Sequence, residues 1–194
     1  MSRYALISVS DKTGIVDFAR TLTKLGINII STGGTAKALT EAGIPVIPIQ
    51  KITGNPESFG GRMKTISFQI EAGILFDREN REHRKEAKNL GIKSIDIVIC
   101  NFYPFEETVK NGRATRKDVI ESIDVGGPTM VRAAAKNHRS VLVIVDPSDY
   151  QEIGRALTQN KITDKLRERL AAKAFGHMSY YDAQIARYLT KDRF

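Results

Sequence analysis

The first 49 residues alternate short apolar runs with amphipathic stretches, and that alternation restricts the fold more than any other property of the chain. YALISV (4–9) leads through a Ser-Asp pair into a segment whose apolar residues Ile15, Val16, Phe18, Ala19, Leu22 and Leu25 fall at helical spacing. Gly26 ends that helix, and INIIS (27–31) reads as a second strand. A second helix over 35–42 is capped by Gly43, and IPVIPI (44–49) forms the third extended run. Strand and helix in alternation build a parallel sheet covered by helices. The expected fold class is therefore α/β, a three-layer, mostly parallel sheet flanked by helices.

After a loop rich in Gly, Pro and Asn at 53–61 the pattern resumes. AGILF (72–76) reads as a strand, followed by a charged helix, IDIVIC (95–100), a helix opening at Pro128, and SVLVIV (140–145). This gives a sheet of five or more strands. Beyond Asp149 the chain turns helical, first over 150–157 and then in two segments around 166–175 and 181–189. No internal repeat or long linker interrupts the 194 residues, which reads as one domain.

Composition narrows the function classes. With 41% hydrophobic and 27% charged residues, the chain is neither fibrous nor disordered. Its apolar runs are far shorter than the ~20 residues a membrane helix needs, and its N-terminus becomes charged too early for a secretory leader. The expected location is the cytosol. The single cysteine, Cys100, has no disulfide partner and no zinc-ligand company. The three histidines, His83, His138 and His177, show no metal spacing, so neither metal nor redox cofactor is expected.

A net charge of +8 calls for a polyanion or an anionic substrate. Basic and acidic residues alternate over 78–93 as on a solvated helix face, and no aromatic platform or helix-turn-helix pattern accompanies them. A small anion is the better fit, with no nucleic acid and no membrane as partner.

In an open parallel sheet ligands sit at the carboxyl ends of the strands, so the residues following each apolar run carry the information. Ser10-Asp11-Lys12-Thr13-Gly14 follows the first strand and combines hydroxyls, a lysine and helix-start amides, although such a sequence is also ordinary capping chemistry. Ser31-Thr32-Gly33-Gly34-Thr35 follows the second, with glycines that admit an anion close to backbone N–H groups. Two such loops at adjacent strand ends argue together for one phosphomonoester pocket. In Gly60-Gly61-Arg62-Met63-Lys64-Thr65, Arg62 and Lys64 alternate along what reads as an extended stretch, projecting to one side. Asn101, Tyr103 and Pro104 follow IDIVIC, and Asp124 precedes Gly126-Gly127-Pro128 and a helix carrying Lys136, Asn137 and His138. No nucleophile–base motif is present.

Taken together, SVSDKTG (8–14), STGGTAKAL (31–39), GGR-x-KT (60–65), NFYPFEETV (101–109), IDVGGPTMVRAAAKNH (123–138) and KAFGHMSYYDAQIARYL (173–189) carry a resemblance. The chain resembles, over essentially its whole length, the IMP cyclohydrolase domain that forms the N-terminal part of bifunctional AICAR transformylase/IMP cyclohydrolase. The resemblance implies a methylglyoxal-synthase-like fold and a homodimer. It also implies closure of 5-formamidoimidazole-4-carboxamide ribonucleotide (FAICAR) to IMP with loss of water, the last step of de novo purine biosynthesis, without a cofactor. A formyltransferase part, separate or fused, would supply the substrate; formyl transfer is not expected of this chain.

The same resemblance distributes roles. Ser10, Lys12, Thr32, Gly33, Gly34, Thr35 and Arg62 would anchor the 5′-phosphate, and Asp11, Met63, Lys64, Thr65, Cys100, Asn101, Asp124 and Val125 would line the rest of the pocket. Asp124 would accept from the attacking NH2, Lys64 would face the developing oxyanion, Lys136 would carry the proton, and Tyr103 would orient it. Lys64 and Lys136 are interchangeable at this level. One departure stands out: after Gly-Arg-x-Lys-Thr the family continues Leu-His-Pro and a second histidine, whereas this chain reads Ile66-Ser67-Phe68-Gln69-Ile70-Glu71. That change leaves open a non-catalytic purine-nucleotide-binding module of the same fold. A synthase producing methylglyoxal from a triose phosphate rests on fold alone.

Overall fold

The structure, a computed structural model, describes residues 3–111 and 113–190. Five parallel strands, β1 (Arg3–Val9), β2 (Ile27–Ser31), β3 (Val46–Pro48), β4 (Ile95–Asn101) and β5 (Leu142–Ile144), lie in the order β3-β2-β1-β4-β5. The two longest strands, β1 and β4, pair at the centre, with Val9 opposite Asn101. Helices cover both of their faces, so Ala5, Leu6, Ile7 and Ile97, Val98, Ile99 are all buried, and the strands read as continuous apolar runs.

Helix α1 (Ile15–Lys24) buries Ile15, Phe18, Ala19 and Leu22 on one stripe, and α2 (Gly33–Glu41) follows β2 directly. After β3 come the single turn α3 (Gln50–Thr53), then α4 (Phe68–Leu75) and α5 (Arg81–Asn89). Helices α6 (Phe105–Lys110), α7 (Arg116–Glu121) and α8 (Gly126–Lys136) connect β4 to β5; α9 (Tyr150–Thr158) and the 27-residue α10 (Asp164–Thr190) complete the chain. Because the chain leaves β1 towards β2 on one side and reaches β4 on the other, the carboxyl ends of β1 and β4 flank a topological switch point, where open α/β sheets leave a crevice.

Three expectations are corrected. AGILF is not a strand: residues 72–75 lie in α4, whose start is capped by the Ser67 hydroxyl accepting from the Ile70 N–H at 3.2 Å. The buried residues Ile70, Gly73 and Ile74 have helical spacing once Ile70 is included, and a Cβ on Gly73 would stand 2.5 Å from the Lys93 carbonyl, so the glycine lets α4 lie against the entry to β4. The two expected C-terminal segments are one helix, because Gly176 sits inside α10 without interrupting it. Residues 62–64 are not an extended strand either: Gly60 and Gly61 have positive φ, Arg62 is in the right-handed helical region, and only Met63 makes a β-bridge, to Ser58.

Candidate active site

The β1–α1 loop is held by Asn101 at the end of β4. Its Oδ1 accepts from the N–H groups of Ser10 (2.7 Å) and Asp11 (2.8 Å), and its Nδ2 donates to the Asp11 carbonyl at 3.0 Å. Thr35, in the first turn of α2, accepts from the Val9 N–H and donates to the Val9 carbonyl, which ties the two phosphate-type loops together. Thr32 caps α2 in extended conformation, and its buried hydroxyl has no protein partner. Gly33 follows with φ 55, a conformation that side chains disfavour.

Two lysines reach this helix start from different parts of the chain. A Cβ on Gly33 would lie 3.5 Å from Lys64 Nζ, and one on Gly34 would lie 3.9 Å from Lys12 Nζ. The positive end of α2, a spare buried hydroxyl and two ammonium groups therefore converge on one spot, which suits a dianion. Lys64 Nζ is meanwhile paired with Glu57 at 3.0 Å, and Lys12 Nζ donates to the Ser10 carbonyl at 3.2 Å.

From Lys64 the chain passes to Thr65, whose hydroxyl lies where a Cβ of Gly126 would be, so residues 64–65 bridge the N-termini of α2 and α8. Just ahead of α8, Asp124 accepts from the Gly127 N–H at 2.9 Å. Burial pushes the Asp124 carboxyl above the usual carboxylate range, with the Gly127 and Gly126 amides opposing the shift. Cys100 is wholly buried; desolvation, and then the nearby Asp124, raise its thiol and keep it protonated.

The sequence-derived residues thus divide. Ser10, Asp11, Lys12, Thr32, Gly33, Gly34, Thr35, Lys64, Thr65, Cys100, Asn101 and Asp124 form one connected group. Arg62 instead forms a two-pronged pair with Glu121, its Nε donating at 3.2 Å, while Met63 and Val125 are exposed. Tyr103 is 55% exposed and lines a cleft of about 660 Å3 beside Ser10, Asp11 and Asn101. Lys136 is not brought to the group: it is the last residue of α8, which at 1.5 Å per residue puts its backbone about 15 Å from Gly126.

The sequence reading missed the contribution of α10. Lys173 bridges Asp146 (2.7 Å) and the buried Asp149 (2.8 Å), which with two backbone and side-chain donors from Ser148 brings Asp146 down to about 2. His177 packs on Phe102 with centroids 4.9 Å apart, and burial lowers its pKa. The Tyr181 hydroxyl accepts from the Asp124 N–H at 2.8 Å. The signal was the spacing 173, 177, 181 along one helix face. No group of three or more possible metal ligands occurs among the described residues, and no described helix is long and apolar enough to cross a membrane.

Residues 14–129 match the MGS-like domain family. The chain belongs to that family. Residues 134–194 match the AICARFT/IMPCHase bienzyme family. Among curated relatives, the bifunctional purine biosynthesis protein PurH of Ruminiclostridium cellulolyticum is 53% identical over 190 residues, covering 97% of this chain and 37% of that protein. PurH of Lactiplantibacillus plantarum is 50% identical over 194 residues, covering 100% of this chain and 38% of its own length. The chain therefore spans less than two-fifths of these relatives. A solved structure described as the crystal structure of ForH is similar with a TM-score of 0.82 and 35% identity, over 95% of this chain and 97% of that one.

Proposed function

We propose that the protein is an IMP cyclohydrolase, closing the formamido imidazole carboxamide ribonucleotide to IMP as one domain, without metal or redox cofactor. The observation that carries this reading is the juxtaposition, across Lys64-Thr65, of a dianion cradle at α2 with a desolvated carboxyl at α8. Similarity to the N-terminal part of PurH proteins supports the choice of substrate. As part of the same reading the protein acts in the cytoplasm as a homodimer, a formyltransferase supplies its substrate, and it binds no nucleic acid.

Ring closure joins the carboxamide nitrogen to the formyl carbon of the same molecule, so positioning is a large part of the task. Effective molarities for well-aligned intramolecular reactions correspond to about 7 kcal/mol or more. Lys12, Thr32 and the amides of Gly33 and Gly34 hold the 5′-phosphate; Asp124 accepts a proton from the attacking NH2 as the N–C bond forms. The formyl oxygen becomes an alkoxide facing Lys64 and takes up the proton that Asp124 accepted; it then leaves as water with a second proton, released by the formamido N–H as the C–O bond breaks and the C=N bond forms. A carboxyl with a raised pKa is a better proton acceptor than an ordinary one, which fits Asp124 for that step.

The test is metal-free absorbance monitoring of IMP formation from the formamido ribonucleotide above the spontaneous rate. Enzymatic IMP formation bears the reading out. Tight IMP binding without turnover would make the protein a nucleotide-binding module, and methylglyoxal formation from dihydroxyacetone phosphate would move it to another reaction altogether.

A further inference from the structure

Resting on the ring-closure reading, we infer that Tyr181 is a positioning residue for that reaction, fixing Asp124 through its backbone N–H. Asp124 is held at two points. Its carboxylate accepts from the Gly127 N–H at 2.9 Å, and its own N–H donates to the Tyr181 hydroxyl at 2.8 Å. The first contact sets the direction of the carboxylate and the second fixes the backbone that carries it. The loop between α7 and α8 places no regular structure at residue 124, so the phenol supplies the partner a strand or helix would otherwise provide.

The phenol is itself immobilised. Tyr181 is 5% exposed, and its ring sits 5.0 Å from Phe102 and 6.2 Å from Phe105, both from the segment following β4. One turn earlier on α10, His177 packs on the same Phe102, and a further turn back Lys173 bridges Asp146 and Asp149 beyond β5. Lys173, His177 and Tyr181 recur every four residues and so share a face, which anchors α10 across the carboxyl ends of β4 and β5. Tyr181 is the member of that face that touches a residue assigned to the chemistry. It contacts no reacting atom and acts only through Asp124.

Tyr181→Phe keeps the ring and its aromatic contacts and removes only the hydroxyl. With Asp124 released from one anchor, its carboxylate shares less of the Gly127 and Gly126 amides that oppose burial. The acid limb of the kcat/KM profile then moves to higher pH, kcat falls about tenfold, and KM for the ribonucleotide changes little. Tyr188→Phe, which loses a hydroxyl farther along the same helix where the ring meets Phe105, is the control and leaves all three unchanged. Amide hydrogen exchange at Asp124, read by NMR in the whole chain, accelerates in Tyr181→Phe. An active wild type with kcat, acid limb and Asp124 exchange unaltered in Tyr181→Phe overturns the positioning role alone. A wild type that closes no ring overturns the functional reading and this role with it.

Discussion

A Cβ placed on Gly126 would collide with the hydroxyl of Thr65, 61 positions earlier in the chain. The absent side chain is what lets the segment after Lys64 lie on the start of α8, where Thr65 is buried.

Gly126→Ala therefore separates the two helix starts that make the candidate pocket. Overpacking of this kind costs about 1–3 kcal/mol. The variant is expected to unfold earlier on denaturant titration and, because the two helix starts no longer meet in register, to bind IMP about tenfold more weakly by calorimetry, a loss of about 1.4 kcal/mol in binding. Undiminished IMP affinity would place the nucleotide elsewhere.

Both basic residues of the 62–64 strip are held by carboxylates, Lys64 by Glu57 and Arg62 by Glu121. Each acid competes with an incoming phosphate for its cation. Glu57→Gln is expected to tighten inorganic phosphate and IMP binding about two- to fivefold at low salt, with the gain fading as ionic strength rises. Lys64→Gln weakens binding and lowers kcat together, because it removes a cation from both the cradle and the developing alkoxide. Titration calorimetry at two salt concentrations reads both effects.

The strand-end loops were legible in the sequence because their chemistry is local: a hydroxyl, a glycine and a helix start within five residues, as in Thr32-Gly33-Gly34-Thr35. The order of strand and helix up to β3 was legible for the same reason. AGILF was not, since a five-residue apolar run fits a strand or a buried helix turn, and the arbitrating cap, Ser67, lies outside it. Partners distant in the chain were invisible: Glu121 is 59 residues from Arg62, and Tyr181 is 57 from Asp124. Lys136 illustrates the converse, because sequence proximity to Asp124 becomes spatial separation once a straight helix lies between them.

Gly176 offers a test of the continuous C-terminal helix. It is exposed in the interior of α10, and a Cβ there meets nothing within 4 Å. Replacing it by alanine removes the extra flexibility of glycine from the unfolded chain at no steric cost. Gly176→Ala is expected to stabilise the fold by about 0.5–1 kcal/mol with kinetics unchanged. A destabilised variant would argue for a break at this position and for two helices in place of one.

Glu71 makes stability depend on pH. It lies in the first turn of α4, a buried oxygen of its carboxylate has no partner, and desolvation raises its pKa from 4.5 to about 7. The folded state therefore holds its proton longer than the unfolded chain does. Stability from this group is fully present below about pH 4.5 and is lost as pH rises through about 7, where the native state must carry an uncompensated charge. One pKa unit corresponds to about 1.4 kcal/mol, and discounting for partial solvent access leaves a loss of about 1–2 kcal/mol. Glu71→Gln keeps the shape and removes the titration. The variant is expected to match the wild type near pH 4.5 and to exceed it by that amount at pH 8 in denaturant unfolding. A wild type and variant whose stabilities run parallel across this range would mean that Glu71 is solvated or paired in the native protein.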